Sequence, residues 1–264
     1  MSKVHELQAP LHAVIFLNET TAILELYAPE IADSAQPGQF VNLSCDRFLK
    51  RPIGIMSVDQ SSGCITLGVQ IKGEGTRWIS QQKPGTIFSV LGPLGHGFNL
   101  DGFKRVITVG GGTGVFPLYF VQQICREKEI DSIAVCGFRS KEDSILRHEY
   151  AMLGCQTCFA SECGDLTVNG RAADALRLLL DSAVQEPGTV ILTCGPRPMM
   201  QAVAELAAAF QLPCQVSLEE RMACGIGVCL VCACEMKTDS EQSSDRYKRC
   251  CVDGPVFDAE VVQW

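Results

Sequence analysis

Between about residues 101 and 215, short and almost unbroken apolar runs alternate with amphipathic ones, and few folds satisfy that rhythm. The runs RVITVG from Arg105, SIAVCGF from Ser132, QTCFAS from Gln156 and TVILTCG from Thr189 read as strands buried on both faces. Between and after them, residues 116–128, 143–153, 172–183 and 197–210 carry apolar side chains at helical spacing. Strands that alternate with helices pair in parallel through right-handed crossovers, which predicts an α/β Rossmann-like domain over 100–215.

The preceding stretch has another rhythm. HAVIFLNE, AILELYAP, GQFVNLSC, CITLGVQI and TIFSVLGP are short apolar or alternating runs separated by Pro-Gly, Ser-Gly and Lys-Pro-Gly turns. They predict a small antiparallel β-barrel over 1–99. Within it, LKRPIGIMSV places Arg51 at the start of a strand, and IKGEGTRWIS brings Gly73, Gly75 and Thr76 to a turn entering a short helix. A guanidinium fork with a glycine-rich helix start suits a diphosphate held from two sides. A surface arginine and an ordinary turn fit the same letters, so both readings stand on chemistry alone.

Gly110, Gly111, Gly112 and Gly114, with Thr113 among them, lie between a buried strand and a helix. That placement suits backbone amides approaching a nucleotide pyrophosphate, although the string is not the usual G-x-G-x-x-G. The next strand ends in CGFRSKED, which offers Arg139 and Lys141 as well as Glu142 and Asp143, so NADH and NADPH both remain open.

The third segment, 216–264, is rich in cysteine and glycine. Cys224, Cys229 and Cys232 follow a C-x4-C-x2-C spacing and Cys251 comes alone downstream, as in plant-type [2Fe–2S] sites. Gly225 and Gly227 allow tight turns that aim N–H groups at sulfur. Zinc is the rival for four thiolates, although its structural sites usually pair two separated knuckles. Spacing favours Cys232 over the nearby Cys234 but does not choose between Cys250 and Cys251. Cys155, Cys158 and Cys163 lack loop glycines and a fourth partner, and QTCFAS falls where a buried strand is due, so they read as core thiols.

Composition narrows the setting. The chain has 15 cysteines and no visible secretory leader, which predicts reduced thiols and a cytoplasmic protein. A net charge of −8 disfavours nucleic acid as a partner, and no apolar run suits a membrane span. The four histidines are scattered, and nothing resembles a hydrolytic triad or a carboxylate pair.

In their order along the chain, RPIG, GEGT, GPLGHGF, GGGTGVFPLYF, CGPRPMM, EERMACGIGVC and CVDGPVFDA resemble the ferredoxin reductase-like flavoproteins. The resemblance is strongest to electron-transfer subunits of type B dihydroorotate dehydrogenases. It implies an FAD-binding barrel, a central domain receiving NAD(H), and a C-terminal [2Fe–2S] domain. It maps FAD contacts to Arg51, Pro52, Ile53, Gly54, Gly68, Val69, Gln70, Gly75 and Thr76, with Gly54 where the family carries serine. It assigns the cluster to Cys224, Cys229, Cys232 and Cys251, and places Cys194, in CGP, near the nicotinamide as a candidate. On chemistry alone Cys194 is equally a buried thiol at a strand end.

The resemblance also implies a partner: an FMN-containing dihydroorotate dehydrogenase catalytic subunit, two copies of each forming a heterotetramer in pyrimidine biosynthesis. Two other readings compete. One is a flavoprotein subunit of a transhydrogenase or sulfhydrogenase; such relatives often carry aspartate where this chain has Cys224. The other is a non-redox nucleotide-binding module with a zinc-stabilised tail.

Overall fold

The computed structural model describes residues 3–182, 186–238 and 246–264. They pack as two compact units, one of residues 3–97, 220–234 and 248–255, the other of the described residues within 98–219, 235–247 and 256–264. Residues after 219 thus contribute to both.

In the first unit, β1 (His5–Asn18), β2 (Thr21–Tyr27), β3 (Phe40–Leu43), β4 (Arg51–Asp59), β5 (Cys64–Gln70) and β6 (Ile87–Leu94) close into a barrel in the order β1-β2-β5-β4-β3-β6. All its pairings are antiparallel. Strand β1 is long enough to serve two neighbours: His5–Pro10 pair with β6 and Leu11–Asn18 with β2. Alternation then fills the interior, with Leu24, Leu26, Ile65, Leu67, Phe88 and Val90 fully buried. Two short helices, α1 (Pro29–Ser34) and α2 (Glu74–Ser80), belong to this unit. The glycine-bearing IKGEGTRWIS stretch foreshadowed α2, but nothing foreshadowed α1, a short helix opened by Pro29 and closed by the Ala35 N–H on the Ile31 carbonyl.

The second unit is built on β7 (Arg105–Gly111), β8 (Asp131–Phe138), β9 (Gln156–Ser161), β10 (Val168–Asn169), β11 (Thr189–Cys194) and β12 (Cys214–Ser217). They pair in parallel in the order β10-β9-β8-β7-β11-β12. The helices are α3 (Val115–Glu127), α4 (Arg147–Leu153), α5 (Ala172–Ser182) and α6 (Arg197–Ala209). Helix α5 is described up to Ser182; the Ala183 end expected from the sequence lies outside the described residues.

Both sheet faces are covered. Val106, Val190 and Leu192 pack with Leu118 and Val121 of α3, while Ile107, Val109 and Ile191 pack with Leu176 of α5 and Val203 of α6. Helix α4 starts later than its apolar spacing suggested, because Leu146 takes a left-handed conformation, φ 58°. A short ribbon, β13 (Ala233–Glu235) with β14 (Tyr247–Arg249), precedes β15 (Val256–Asp258), which adds antiparallel to β12 at the sheet edge. No described helix is long and apolar enough to cross a membrane.

Candidate functional site: a four-cysteine loop, an arginine cradle and a glycine loop

The four-cysteine loop runs without regular structure from Arg221 to Val231. Gly225 and Gly227 bend it with φ of 73° and 82°. Gly225 has a second reason to lack a side chain: a Cβ there would strike the Asn42 amide of β3. Burial pushes the Cys224 thiol up, but N–H groups of Cys229 and Ile226, the Cys229 thiol and the Val228 N–H outweigh it and bring the thiol down to about 6. The Cys229 N–H lies 3.4 Å from Cys224 Sγ. Converging amides of this kind favour a thiolate, the form that binds metal.

The remaining two sulfurs form their own pair. Burial, and then the Cys232 thiol, raise Cys251 to about 12, with the Cys224 charge a smaller contribution. Cys232 and Cys251 are buried, Cys224 is half-buried and Cys229 is exposed. Among the described residues, no three of these sulfurs lie within 4.8 Å of one another. A lone tetrahedral zinc would draw its thiolates to about 3.8 Å apart. Two sulfur pairs, one half-open and one buried, fit a two-iron cluster better than one zinc.

Cys234 and Cys250 turn elsewhere. Cys234 Sγ donates to the Lys248 carbonyl at 3.2 Å, and Cys250 Sγ lies 3.7 Å from Cys234 Sγ. The Cys234 contact and then burial push the Cys250 thiol far up. Cys250 and Cys251 are adjacent, yet one faces Cys234 and the other the loop sulfurs.

Sequence reasoning missed the residues that brace this loop. The Arg249 guanidinium grips Asp253 through Nε to Oδ2 at 2.9 Å and Nη2 to Oδ1 at 3.2 Å, and donates Nη1 to the Gly227 carbonyl at 3.1 Å. The Arg249 fork holds the Asp253 carboxyl below its usual range. The His96 N–H donates to the Gly254 carbonyl at 2.6 Å, tying the Cys251 segment to the barrel. Only the RCCVDG spacing could have hinted at an Arg/Asp pair four apart.

On the barrel, Arg51 begins β4 with its guanidinium over Gly75. A Cβ at Gly75 would lie 2.5 Å from Arg51 Nε and 2.6 Å from Nη2. This is a cradle that only glycine leaves open, and it unites the two diphosphate elements read from the sequence. Arg51 Nη1 also donates to the Leu49 carbonyl at 2.6 Å. Thr76 Oγ1 accepts from the N–H groups of Lys72 and Gly73 at 3.1 and 3.3 Å and so shapes this turn. Ile53 and Val69 are buried at 6% and 1%, so they offer backbone there, whereas Gly54, Gly68 and Gln70 are half-buried on the alternate positions.

Asn42 joins the two regions. It pairs with Pro52 across β3 and β4, its amide abuts Gly225, and it is 1% exposed with Oδ1 lacking a hydrogen-bond partner. A buried acceptor left unpaired costs about 1–3 kcal/mol, so a ligand that donates to it recovers that loss. Asn42 lies inside the FVNL run, where sequence reasoning saw only a strand.

The glycine loop leaves the C-terminal end of β7, between β8 and β11, the switch point where doubly wound sheets bind ligands. Most of its glycines answer to packing. A Cβ at Gly111 would meet Met199, one at Gly110 would meet Val115, and one at Gly114 would strike the Cys194 carbonyl. Gly112 alone has open space, with φ 54°, and Thr113 follows it in the short turn entering α3. Cys194 is 3% exposed. Burial, then the Glu219 charge, push its thiol up to about 12, so it stays protonated. That argues for a packing role at the strand end and against a nucleophile.

Residues 219–263 match the protein-family model of the iron-sulfur cluster binding domain of dihydroorotate dehydrogenase B. The chain is 34% identical to a dihydroorotate dehydrogenase B (NAD(+)) electron transfer subunit from Desulforamulus reducens, with all of both chains covered. It is 36% identical to the like-named subunit of Bacillus caldolyticus, over 92% of this chain and 93% of that one. Among solved structures it resembles an NADH-dependent reduced ferredoxin-NADP oxidoreductase at 26% identity, with TM-score 0.87 over 98% of this chain and 90% of that one. It shares a fold with the ferredoxin reductase in carbazole 1,9a-dioxygenase, at 17% identity and TM-score 0.66 over 80% of this chain and 67% of that one.

Proposed function

This chain belongs to the family of dihydroorotate dehydrogenase B electron transfer subunits, and from that premise we propose that it carries electrons between NAD(H) and a dihydroorotate dehydrogenase catalytic subunit in pyrimidine biosynthesis. Its functional parts are a flavin part over 1–99, an NAD part over 100–215 and a cluster part over 216–264. When bound, FAD exchanges a hydride with the nicotinamide and the [2Fe–2S] cluster carries electrons singly.

The chain's own residues bind and orient. Cys224, Cys229, Cys232 and Cys251 would hold the cluster, and the Arg249–Asp253 fork stiffens the loop by its bond to the Gly227 carbonyl. Arg51 neutralises the FAD diphosphate over Gly75, with backbone from Pro52, Ile53, Gly54, Gly68, Val69 and Gln70 and the Thr76-shaped turn completing the site. Asn42 Oδ1, buried and unpaired, would accept a hydrogen bond from the bound flavin. The Gly110–Gly114 loop, open at Gly112, would admit the nucleotide diphosphate at the sheet's switch point. The observation that carries this reading is the sorting of four sulfurs into two pairs beside the strand next to Arg51 and Pro52.

Electrons leaving a cluster need a recipient. Ile226, Val228, Leu230 and Val231 are 53%, 75%, 62% and 51% exposed on the cysteine loop, an apolar tip suited to a protein partner. That partner is an FMN-containing catalytic subunit in a cytoplasmic heterotetramer with two of each chain. Mixing this chain with such a subunit tests the reading. NAD+-linked orotate formation is expected only when both are present, while this chain alone passes NADH electrons to ferricyanide. Orotate formation by this chain alone would overturn it.

A further inference from the structure

A second gathering of donor atoms lies on the outer face of the barrel and shares no residue with those assigned to the electron route. His12 is the extra residue of a bulge in β1: the register runs from Leu11 opposite Leu26 to Ala13 opposite Glu25 and leaves His12 unpaired. A bulge re-aims the side chain it carries. Glu25 lies on β2 between the inward-facing Leu24 and Leu26, and Cys64 opens β5 opposite Tyr27. Alternation therefore turns both outward, onto the face His12 occupies.

The atoms converge. His12 Nδ1 is 3.4 Å from Cys64 Sγ and 3.6 Å from Glu25 Oε1, and all three donor atoms lie within 4.8 Å of one another. Tetrahedral zinc, from its usual bond lengths, sets nitrogen–sulfur edges of about 3.5 Å and nitrogen–oxygen edges of about 3.4 Å. The observed edges match within about 0.2 Å. The Tyr27 ring stacks on the imidazole, with centroids 5.9 Å apart and planes at 20°, which fixes its orientation. Cys64 is 5% exposed, whereas the His12 and Glu25 side chains are 46% and 47% exposed, so the trio has a buried sulfur floor and an open outer side.

We propose that His12, Glu25 and Cys64 form a binding site for a zinc-class divalent cation, with its fourth position left to water. The ion clasps three neighbouring strands, β1, β2 and β5, and its binding releases the Cys64 thiol proton to solvent. Cys64 is four residues from Gly68, roughly 13 Å along the strand, and Glu25 lies opposite Thr66, so the trio uses strand positions other than those of the flavin cradle.

The test uses the full chain with FAD and iron fully loaded, mixed with one equivalent of zinc chloride and gel-filtered. One zinc should stay with each chain beyond the iron, with X-ray absorption showing one sulfur at about 2.3 Å and nitrogen or oxygen at about 2.0–2.1 Å. Cys64→Ser and His12→Ala should each weaken retention at least ~10-fold, with iron and FAD contents unchanged. The proposal is overturned if no zinc is retained, if both variants retain it as well as the parent, or if the zinc shows a four-sulfur shell. The last result would place it in the cysteine loop.

Discussion

The cysteine loop and the glycine loop both looked like ligand loops in the sequence, yet they are built on opposite principles. In the cysteine loop, amides and thiols converge on one another, and Cys224 falls to about 6 despite the upward push of burial. In the glycine loop the missing side chains mostly make room for protein: Gly111 for Met199, Gly114 for the Cys194 carbonyl. Only Gly112 faces open space. A repeated residue type therefore marks a site only when its neighbours turn toward the space it encloses. The cysteines meet that condition and most of the glycines do not.

The largest effect should follow from breaking the quartet. Serine at Cys224, Cys229, Cys232 or Cys251 should remove most iron and labile sulfide and cut electron delivery to the partner at least ~100-fold. Serine at Cys234 or Cys250 should leave the iron content near that of the parent. Iron and sulfide analysis of the six variants decides it.

The glycine loop yields a smaller contrast. Gly114→Ala forces a methyl into the Cys194 carbonyl and should cost about 1–3 kcal/mol in denaturant unfolding. Gly112→Ala meets nothing and should cost about 1 kcal/mol for its left-handed backbone, yet weaken NADH binding. Equal stability losses would show that packing does not separate the two glycines.

Asn42→Leu sharpens the comparison from the barrel side. It removes an unpaired buried oxygen, so the cofactor-free chain should be as stable or about 1 kcal/mol more stable. Bound FAD should nevertheless be lost several-fold faster, read by fluorescence of released flavin. A purely structural Asn42 would shift stability alone.

At neutral pH the smallest effect is that of the buried thiols, which act on stability only in alkali. Burial raises the thiols of Cys125, Cys194 and Cys214 to about 12, from an ordinary value near 9. The folded state then holds protons that the unfolded state has lost, so these thiols leave stability unchanged below pH 9 and lower it as pH rises from 9 toward 12. Unfolding of the cluster-free chain by urea at stepped pH should show that decline. Iodoacetamide should leave Cys194 unmodified at pH 8.

Much of the architecture was legible because its signals are local. Buried strands, amphipathic helices and turn residues announced the barrel and the parallel sheet, and C-x4-C-x2-C announced the loop. The sequence did not reveal what depends on distant partners. Nothing in FVNL says that Asn42 will be covered by Gly225. Adjacent cysteines 250 and 251 look equivalent until Cys234 and Cys232 claim one each. The late start of α4 reflects the backbone at Leu146, which helical periodicity does not register. Strand β15 becomes a strand only because the edge of β12 is there to pair with it.

The central claim is that the tail's four thiolates hold paired irons that NADH can reduce through the flavin. Electron paramagnetic resonance of the anaerobically purified chain, recorded after adding NADH and again after dithionite, tests it most directly. A reduced two-iron signal in both spectra, lost in Cys251→Ser, is the result expected. Silence in both, with zinc in place of iron and sulfide, would contradict it.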